Sequence, residues 1–330
     1  MPGLNSSPSP EISTPAVSVV IPCYKATEFI SLALDSLRQQ TFRNFETIVV
    51  NDACPDSANL ERVLEPYRSE IVYLRLDVNQ GPSTARNTGI RAAKAPLVAM
   101  LDSDDTWEPD YLEVQTAFLA AHPEIDVVYP NAEFIGGSAW TGRAYMDMIP
   151  SQGEADFRSI LLRECNVFTG VTVRRDALLR VGMFDPLLRR SEDFDLWLRL
   201  ARTGSRFAYH TKKLVRYRIS LNSLSDDKVE LQLASLQVYK KLGAAPDLSP
   251  EHTTLVADAI RRQQATIDLY LGKKALYNRN RSEAVLRLSH ANHVMQNRKL
   301  AAMILVLRVW PGPLYRYIHS LYPTEYAYLH

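Results

Sequence analysis

Four short runs rich in aliphatic and β-branched residues recur over the first hundred positions, at 17–21, 46–50, 71–76 and 97–101. Each is too short for an ordinary helix, so each predicts a strand. Between them apolar residues return at helical spacing, first Phe29, Ile30, Ala33, Leu34 and Leu37, then Leu60, Val63, Leu64 and Tyr67. A third helix is predicted over 83–94, opened by Gly81-Pro82, because proline suits a first helical turn. Strands alternating with helices predict an α/β fold with a doubly wound, mostly parallel sheet. Such sheets bind ligands beyond the carboxyl ends of their strands, so the loops after these runs are the place to look for chemistry.

The pattern changes twice farther on. From about 126 to 218 it is mixed, with strands predicted at 127–129, 171–173, 206–209 and 214–218 and helices at 155–163, 176–181 and 192–201. Gly182 is placed to end the second of these helices. Beyond about 222 the chain reads as helical, over 229–242, 250–271, 282–293 and 299–309, with no fixed repeat period. The expected organisation is a Ser/Pro-rich, disordered lead-in at 1–15, an α/β domain at 16–221 and a helical region at 222–330.

Composition narrows the partners. A chain of 330 residues can bury a sizeable core and hold more than one domain. A net charge of +1 makes no case for nucleic acid, so any anion must be bound by a local site. The three cysteines, Cys23, Cys54 and Cys165, form no C-x-x-C pair, which argues against a disulfide framework or a structural zinc site. No basic stretch leads into an apolar run at the start, and no apolar run approaches the roughly 20 residues that span a bilayer. A cytoplasmic protein is expected. The segment 299–317 mixes Arg308, Trp310, Tyr315 and Arg316 with aliphatics; it reads either as a helix docked on its neighbours or as an interfacial one making peripheral membrane contact.

The fourth apolar run leads directly into Asp102-Ser103-Asp104-Asp105. Three crowded carboxylates repel one another and are hard to keep ionised without a counter-charge. Mg²⁺ or Mn²⁺ supplies one, through oxygen ligands, and such an ion can neutralise a diphosphate. The same residues also read as an acidic turn capping the helix near Pro109. The second run ends in Asn51-Asp52, where Asp52 can accept the N3–H of a uracil or thymine ring or form a local turn. The first ends in Pro22-Cys23-Tyr24, whose Tyr24 can stack on a base or pack on the sheet edge. Arg86, early in the third helix, can reach a nucleotide or brace Asp52 or the acidic loop. In Ser191-Glu192-Asp193-Phe194-Asp195 the serine suits an N-cap and the acids suit the helix dipole; alternatively Asp193 is a general base.

Taken in order, Val17-Ser18-Val19-Val20-Ile21-Pro22-Cys23-Tyr24, Ile48-Val49-Val50-Asn51-Asp52, the stretch from Asn79-Gln80-Gly81-Pro82 through Arg86-Asn87-Thr88-Gly89, Met100-Leu101-Asp102-Ser103-Asp104-Asp105 and Ser191-Glu192-Asp193-Phe194-Asp195-Leu196-Trp197 resemble the family 2 glycosyltransferases of the GT-A fold, over about residues 15 to 225. The resemblance implies an inverting enzyme with a nucleotide-sugar donor and a Mn²⁺ or Mg²⁺ ion. Asp102 and Asp104 match the family's D-x-D, the second acid expected at the metal and the first near the ribose and metal. Pro22, Tyr24, Asp52 and Arg86 are expected on the nucleotide side, and Asp193 matches the catalytic base. The acceptor is expected to be a glycan or lipid-linked saccharide, as in polysaccharide biosynthesis. The family's Tyr-Arg-x-His is here Tyr217-Arg218-Ile219-Ser220, so Ser220 replaces the expected histidine and Arg218 is left to supply charge at the phosphates. The Gln-x-x-Arg-Trp motif of processive members is absent, which implies transfer of a single sugar.

Three other readings fit parts of the sequence. Asp102-Ser103-Asp104-Asp105-Thr106 also fits the D-x-D-x-T of haloacid-dehalogenase-like phosphatases with Asp102 as nucleophile, although that motif belongs on a first strand. A dinucleotide oxidoreductase lacks its G-x-G-x-x-G after the first run. A sugar-nucleotide-binding protein with weak turnover fits the Ser220 departure.

Overall fold

A computed structural model of the chain describes residues 14–137, 139–219, 228–312 and 314–316; the lead-in up to residue 13 and Ser220 lie outside the described residues. The chain divides into two compact units. The first comprises Met1–Ile160, Glu164–Arg189 and Leu196–Ser220, and the second Leu161–Arg163, Arg190–Asp195 and Leu221–His330.

The first unit opens with β1 (Val17–Cys23), α1 (Ile30–Arg38), β2 (Phe45–Asn51), α2 (Ser57–Leu64), β3 (Ile71–Arg75), α3 (Pro82–Ala92) and β4 (Leu97–Met100). The chain continues with β5 (Thr106–Trp107), α4 (Tyr111–Ala121), β6 (Val127–Gly136), α5 (Tyr145–Met148), α6 (Phe157–Leu161), β7 (Thr172–Arg174), α7 (Arg175–Arg180), α8 (Glu192–Arg202) and β8 (Phe207–Ile219), of which Leu161 of α6 and the first turn of α8 fall in the second unit. The eight strands form one sheet in the order β3-β2-β1-β4-β7-β6-β8-β5.

From β3 to β4 neighbouring strands are parallel, as expected of alternating strands and helices. Val17, Val19, Val20 and Ile21 of β1 are all fully buried, because helices cover both faces of a central parallel strand. The register pairs Cys23 with Asn51 and Val20 with Met100, so the loops after β1, β2 and β4 leave the sheet at the same edge. Gly89 brings α3 close to β1, since a Cβ there would stand 2.4 Å from Val20 Cγ1. That contact sets the height of α3, and hence of Arg86, over the sheet.

The other half of the sheet is mixed. β7 runs antiparallel to β4 and to β6, β5 runs antiparallel to β8, and β6 is parallel to β8. The expected strands at 206–209 and 214–218 are one strand of 13 residues. Its apolar pattern breaks at the exposed Thr211, Lys212 and Lys213, where the register against β6 shifts between Tyr129 and Ala132. β6 runs on to Gly136, past the expected end at 129, because the bulge accommodates Pro130 within the strand. The expected helix at 155–163 is shorter, and Gly182, at φ 79°, does end α7.

The second unit holds α9 (Lys228–Gly243), α10 (Pro250–Tyr277), α11 (Arg281–Met295) and α12 (Arg298–Val309). Ser249, Asn280 and Asn297 cap the last three through side-chain oxygens that accept backbone N–H bonds. Leu276, Leu288, Ile304 and Leu307 form the centre of their core. Among the described residues no helix is long and apolar enough to cross a membrane.

Candidate active site

The acidic loop closes immediately after β4, with the Asp105 N–H donating to Asp102 O at 3.1 Å. Asp102 accepts a bond on each oxygen, from Arg86 Nη2 at 2.7 Å and from Thr169 Oγ1 at 2.6 Å. Burial alone would raise its pKa, but the Arg86 charge and these two hydrogen bonds outweigh burial and hold the carboxyl below its usual range. Arg86 is itself buried, and its guanidinium also faces the Phe184 ring at 5.4 Å. Of the roles open to Arg86, the structure shows it bracing the acidic loop at Asp102.

The neighbouring acids are treated differently. Asp105 is buried and accepts the Arg218 N–H at 2.7 Å. Burial, reinforced by the charges of Asp104 and Asp102, pushes it well above the usual carboxylate range. Asp104 is half-buried; burial and then the charge of Asp102 push it up to about 6. Arg218 Nε donates to Asp104 O at 2.9 Å, and its guanidinium lies 4.3 Å from the Phe29 ring centroid. One loop thus gathers three carboxyls with Arg86 and Arg218 around it. Among the described residues no group of three or more His, Cys, Asp or Glu side chains is arranged to hold a metal. The oxygens that can serve a cation are those of Asp102 and Asp104.

Asp52 sits at the end of β2 and is 2% exposed. It accepts the Gln80 N–H at 2.7 Å, the Gly81 N–H at 2.8 Å and Asn79 Nδ2 at 3.0 Å. Its carboxylate therefore pins the loop before α3, using most of its roughly four acceptor positions. Gly81 enters that loop at φ 89°, in the left-handed region that favours glycine. Asn79 Oδ1 in turn accepts from Arg189 Nη1 at 3.2 Å. Tyr24 is 45% exposed at the end of β1, with Lys25 Nζ 5.5 Å from its ring centroid. Pro22 is half-buried in β1 opposite Val50.

Asp193 stands in the first turn of α8, half-buried, and accepts the Phe194 N–H at 2.7 Å. It belongs to the second compact unit, whereas Asp52, Arg86, Asp102, Asp104 and Arg218 belong to the first. The three cysteines are buried and free. A cleft of about 230 Å³ beside Arg38, Phe45 and Tyr67 lies at the amino end of β2 and takes no part in this arrangement. Sequence reasoning missed Thr169, 67 residues from its partner Asp102 and in no motif. It also missed Asn79 and Arg189, although Asn79 opens a motif that was read.

An α/β sheet with an acidic loop at the carboxyl edge of its parallel half has the layout of the GT-A fold. The chain matches the model of glycosyl transferase family 2 over residues 18–185, and it belongs to that family. It is 30% identical over 213 residues to the Escherichia coli UDP-Glc:alpha-D-GlcNAc-diphosphoundecaprenol beta-1,3-glucosyltransferase WfgD, covering 64% of this chain and 80% of the relative. It is 28% identical over 235 residues to the putative teichuronic acid biosynthesis glycosyltransferase TuaG of Bacillus subtilis, covering 69% and 88%. Among solved structures, S. aureus TarS 1-349 in complex with UDP-GlcNAc superposes with a TM-score of 0.64 at 18% identity, over 93% of this chain and 91% of the other. The mannosyltransferase PcManGT from Pyrobaculum calidifontis, in complex with GDP-Man and Mn2+, gives 0.60 at 19% identity, over 99% and 88%. The protein is a glycosyltransferase; the phosphatase and oxidoreductase readings fall with that membership.

Proposed function

We propose that the protein is an inverting, metal-dependent glycosyltransferase that moves one sugar from a UDP- or dTDP-sugar to a hydroxyl of a glycan or lipid-linked saccharide. The observation that carries this reading is the acidic loop after β4, where Asp102 is held by Arg86 at 2.7 Å and Thr169 at 2.6 Å and Asp104 stands beside it with Arg218 Nε at its carbonyl. The loop's donors are all oxygen, which fits Mn²⁺ or Mg²⁺. Asp104 and Asp102 would hold the ion. When bound, it offsets the charge of the departing diphosphate.

The chain's own residues supply the rest. Arg218 stands over the loop as a cation for the phosphates. Tyr24 and the Asp52-pinned loop form the side on which the base is read. Asp193 takes the proton of the acceptor hydroxyl as its oxygen bonds to C1 of the sugar. The C1–oxygen bond to the diphosphate breaks, and the nucleoside diphosphate leaves with that electron pair. The name of the E. coli relative, with its diphosphoundecaprenol-linked acceptor, supports a lipid-linked acceptor, and that of the B. subtilis relative supports a glycan product.

One face of α12 suits such a surface. Leu305, Val306, Val309 and Trp310 are 63%, 43%, 76% and 69% exposed, while Leu300, Ile304 and Leu307 are buried on the other side. Arg298, Lys299 and Arg308 flank that apolar face, and no acid lies between 298 and 310. An anionic lipid surface matches both features.

The test of the transferase reading is release of UDP or dTDP from a panel of sugar nucleotides, with and without Mn²⁺. Mn²⁺-dependent release that Asp104→Ala abolishes is the expected result. Binding of a sugar nucleotide without turnover, with every acceptor class offered, would favour the binding-protein reading instead.

A further inference from the structure

The residues on either side of Asp193 are clamped from α9. Phe194 is 3% exposed, with the Arg163 guanidinium 3.5 Å from its ring centroid and the edge of Tyr239 at 5.4 Å and 85°. Asp195 is also 3% exposed and accepts from Lys241 Nζ at 2.7 Å. A carboxylate that deep needs a paired charge, and Lys241, on the last turn of α9, provides it. Ser235 of α9 ties the remaining pieces together. Its Oγ lies 3.4 Å from Ser191 Oγ and accepts from Arg163 Nη2 at 3.3 Å. Tyr239 OH donates to Leu161 O at 3.0 Å. These residues all fall within the second compact unit.

Two backbone positions show that this turn is held rather than relaxed. Ser191 has φ 56° and Arg163 has φ 61°, left-handed values that a non-glycine residue keeps only when its surroundings impose them. Successive residues of a helix are about 100° apart around its axis. With Phe194 and Asp195 both engaged by α9, the half-buried Asp193 is left on the remaining face of the turn.

We propose that α9 is a positioning element for Asp193, with Lys241 as its principal residue and Arg163 and Tyr239 fixing the adjoining ring. The inference rests on Asp193 being the catalytic base. It gives the helical region a part in turnover. Lys241 touches neither donor nor acceptor in this scheme; it acts by fixing Asp195 and, through it, the rotation and tilt of the turn. A base displaced by about 1 Å can lose on the order of a hundredfold in rate.

The experiment uses the full chain, the sugar nucleotide found by the panel, its acceptor and Mn²⁺. Asp193→Asn is measured first and is expected to lose turnover while donor binding, followed by thermal shift, is retained. The double variant Lys241→Met/Asp195→Asn then removes both charges, so neither is left buried alone. Its kcat is expected to fall on the order of tenfold to a hundredfold, with donor KM unchanged and the melting temperature within a few degrees of the parent. Lys241→Arg, which keeps the charge, is expected to restore most of the rate. Should the double variant not fold, Arg163→Lys keeps its charge, loses the planar stack on Phe194 and carries the same expectation for kcat. Full turnover in Asp193→Asn would overturn the base assignment and this inference with it. Loss of turnover in Asp193→Asn but parental kcat in the folded clamp variants would overturn the inference alone and leave the clamp as packing.

Discussion

Replacing Arg86 by methionine isolates the electrostatics of the acidic loop. The guanidinium is 6% exposed and its partner carboxylate 24% exposed, with 2.7 Å between them. Methionine fills much of the same volume, so the principal loss is the charge. Removing one partner of a buried pair costs about 3–5 kcal/mol. Asp102 is partly reached by water and keeps its bond from Thr169, which brings the expected cost to about 2–3 kcal/mol. For a domain of about 200 residues that is a fall of roughly 5–10 °C in melting temperature.

The sign with pH follows from the same pair. In the parent, Asp102 titrates below its unfolded value, so its stabilising effect is present at neutral pH and lost only in strong acid. Without Arg86, burial is opposed only by the Thr169 hydrogen bond, and the pKa of Asp102 is expected to rise. The deficit of the variant should therefore be largest at pH 7–8 and narrow as pH falls towards about 4. A divalent cation acts in the opposite direction. At about a hundred times its Kd a ligand adds about 2.7 kcal/mol to the native state. The variant loop carries one more uncompensated negative charge, so Mn²⁺ should raise its melting temperature more than that of the parent. Thermal unfolding at pH 5 and 7.5, with and without Mn²⁺, reads all three effects. Equal melting temperatures for parent and variant at pH 7.5, or a smaller rise with Mn²⁺ in the variant, would refute the reasoning.

Other consequences are more local. Asp104 titrates at about 6, above its unfolded value, so in the metal-free protein its favourable contribution is lost as pH rises through about 6. Below about pH 6 Mn²⁺ must displace that proton, so its affinity, measured by calorimetry, should weaken on going from pH 7.5 to 5.5, with protons released to the buffer on binding at the lower pH; pH-independent affinity would contradict this. Asp52→Asn leaves at least one of three N–H donors facing an amide nitrogen, at about 1–3 kcal/mol; a lower melting temperature and a raised donor KM are expected, and an unchanged melting temperature would remove the loop-pinning role. Leu305→Glu/Val309→Glu alters only exposed positions; flotation with anionic vesicles should be lost while turnover of a soluble acceptor is kept, and undiminished flotation would exclude this face of α12.

The parallel half of the sheet was legible because its strands are short apolar runs separated by helical periodicity, and both signals are local. The mixed half was less so. β8 was read as two strands because Thr211, Lys212 and Lys213 interrupt its pattern, and the bulge that permits them exists only through pairing with β6. The same limit applies to the candidate site. Its acids stand in contiguous motifs and were named from them. Thr169 carries no local signal and becomes a partner of Asp102 only because the fold places it beside the end of β4. Asp52 shows the converse: its motif was read, but its carboxylate turns inward to pin residues 79–81, which no spacing within its own segment foretells.

Three adjacent carboxyls in a sequence look equivalent; in the fold they are not. Asp102 has a buried guanidinium and a hydroxyl and stays charged at low pH. Asp105 is buried beneath the Arg218 N–H, where burial favours its neutral form. Asp104 lies between these extremes, raised but within reach of neutral pH. A cation meeting this loop gains most at Asp104, because there its charge relieves both burial and the repulsion from Asp102. The two arginines divide the loop between them: the Arg86 side chain pairs with Asp102, while Arg218 reaches the loop through its backbone N–H at Asp105 and its Nε at Asp104 O. The three acids thus differ through their surroundings, Asp102 through Arg86 and Thr169 and the other two through burial, and Arg86 supplies the side-chain charge that sets Asp102 apart.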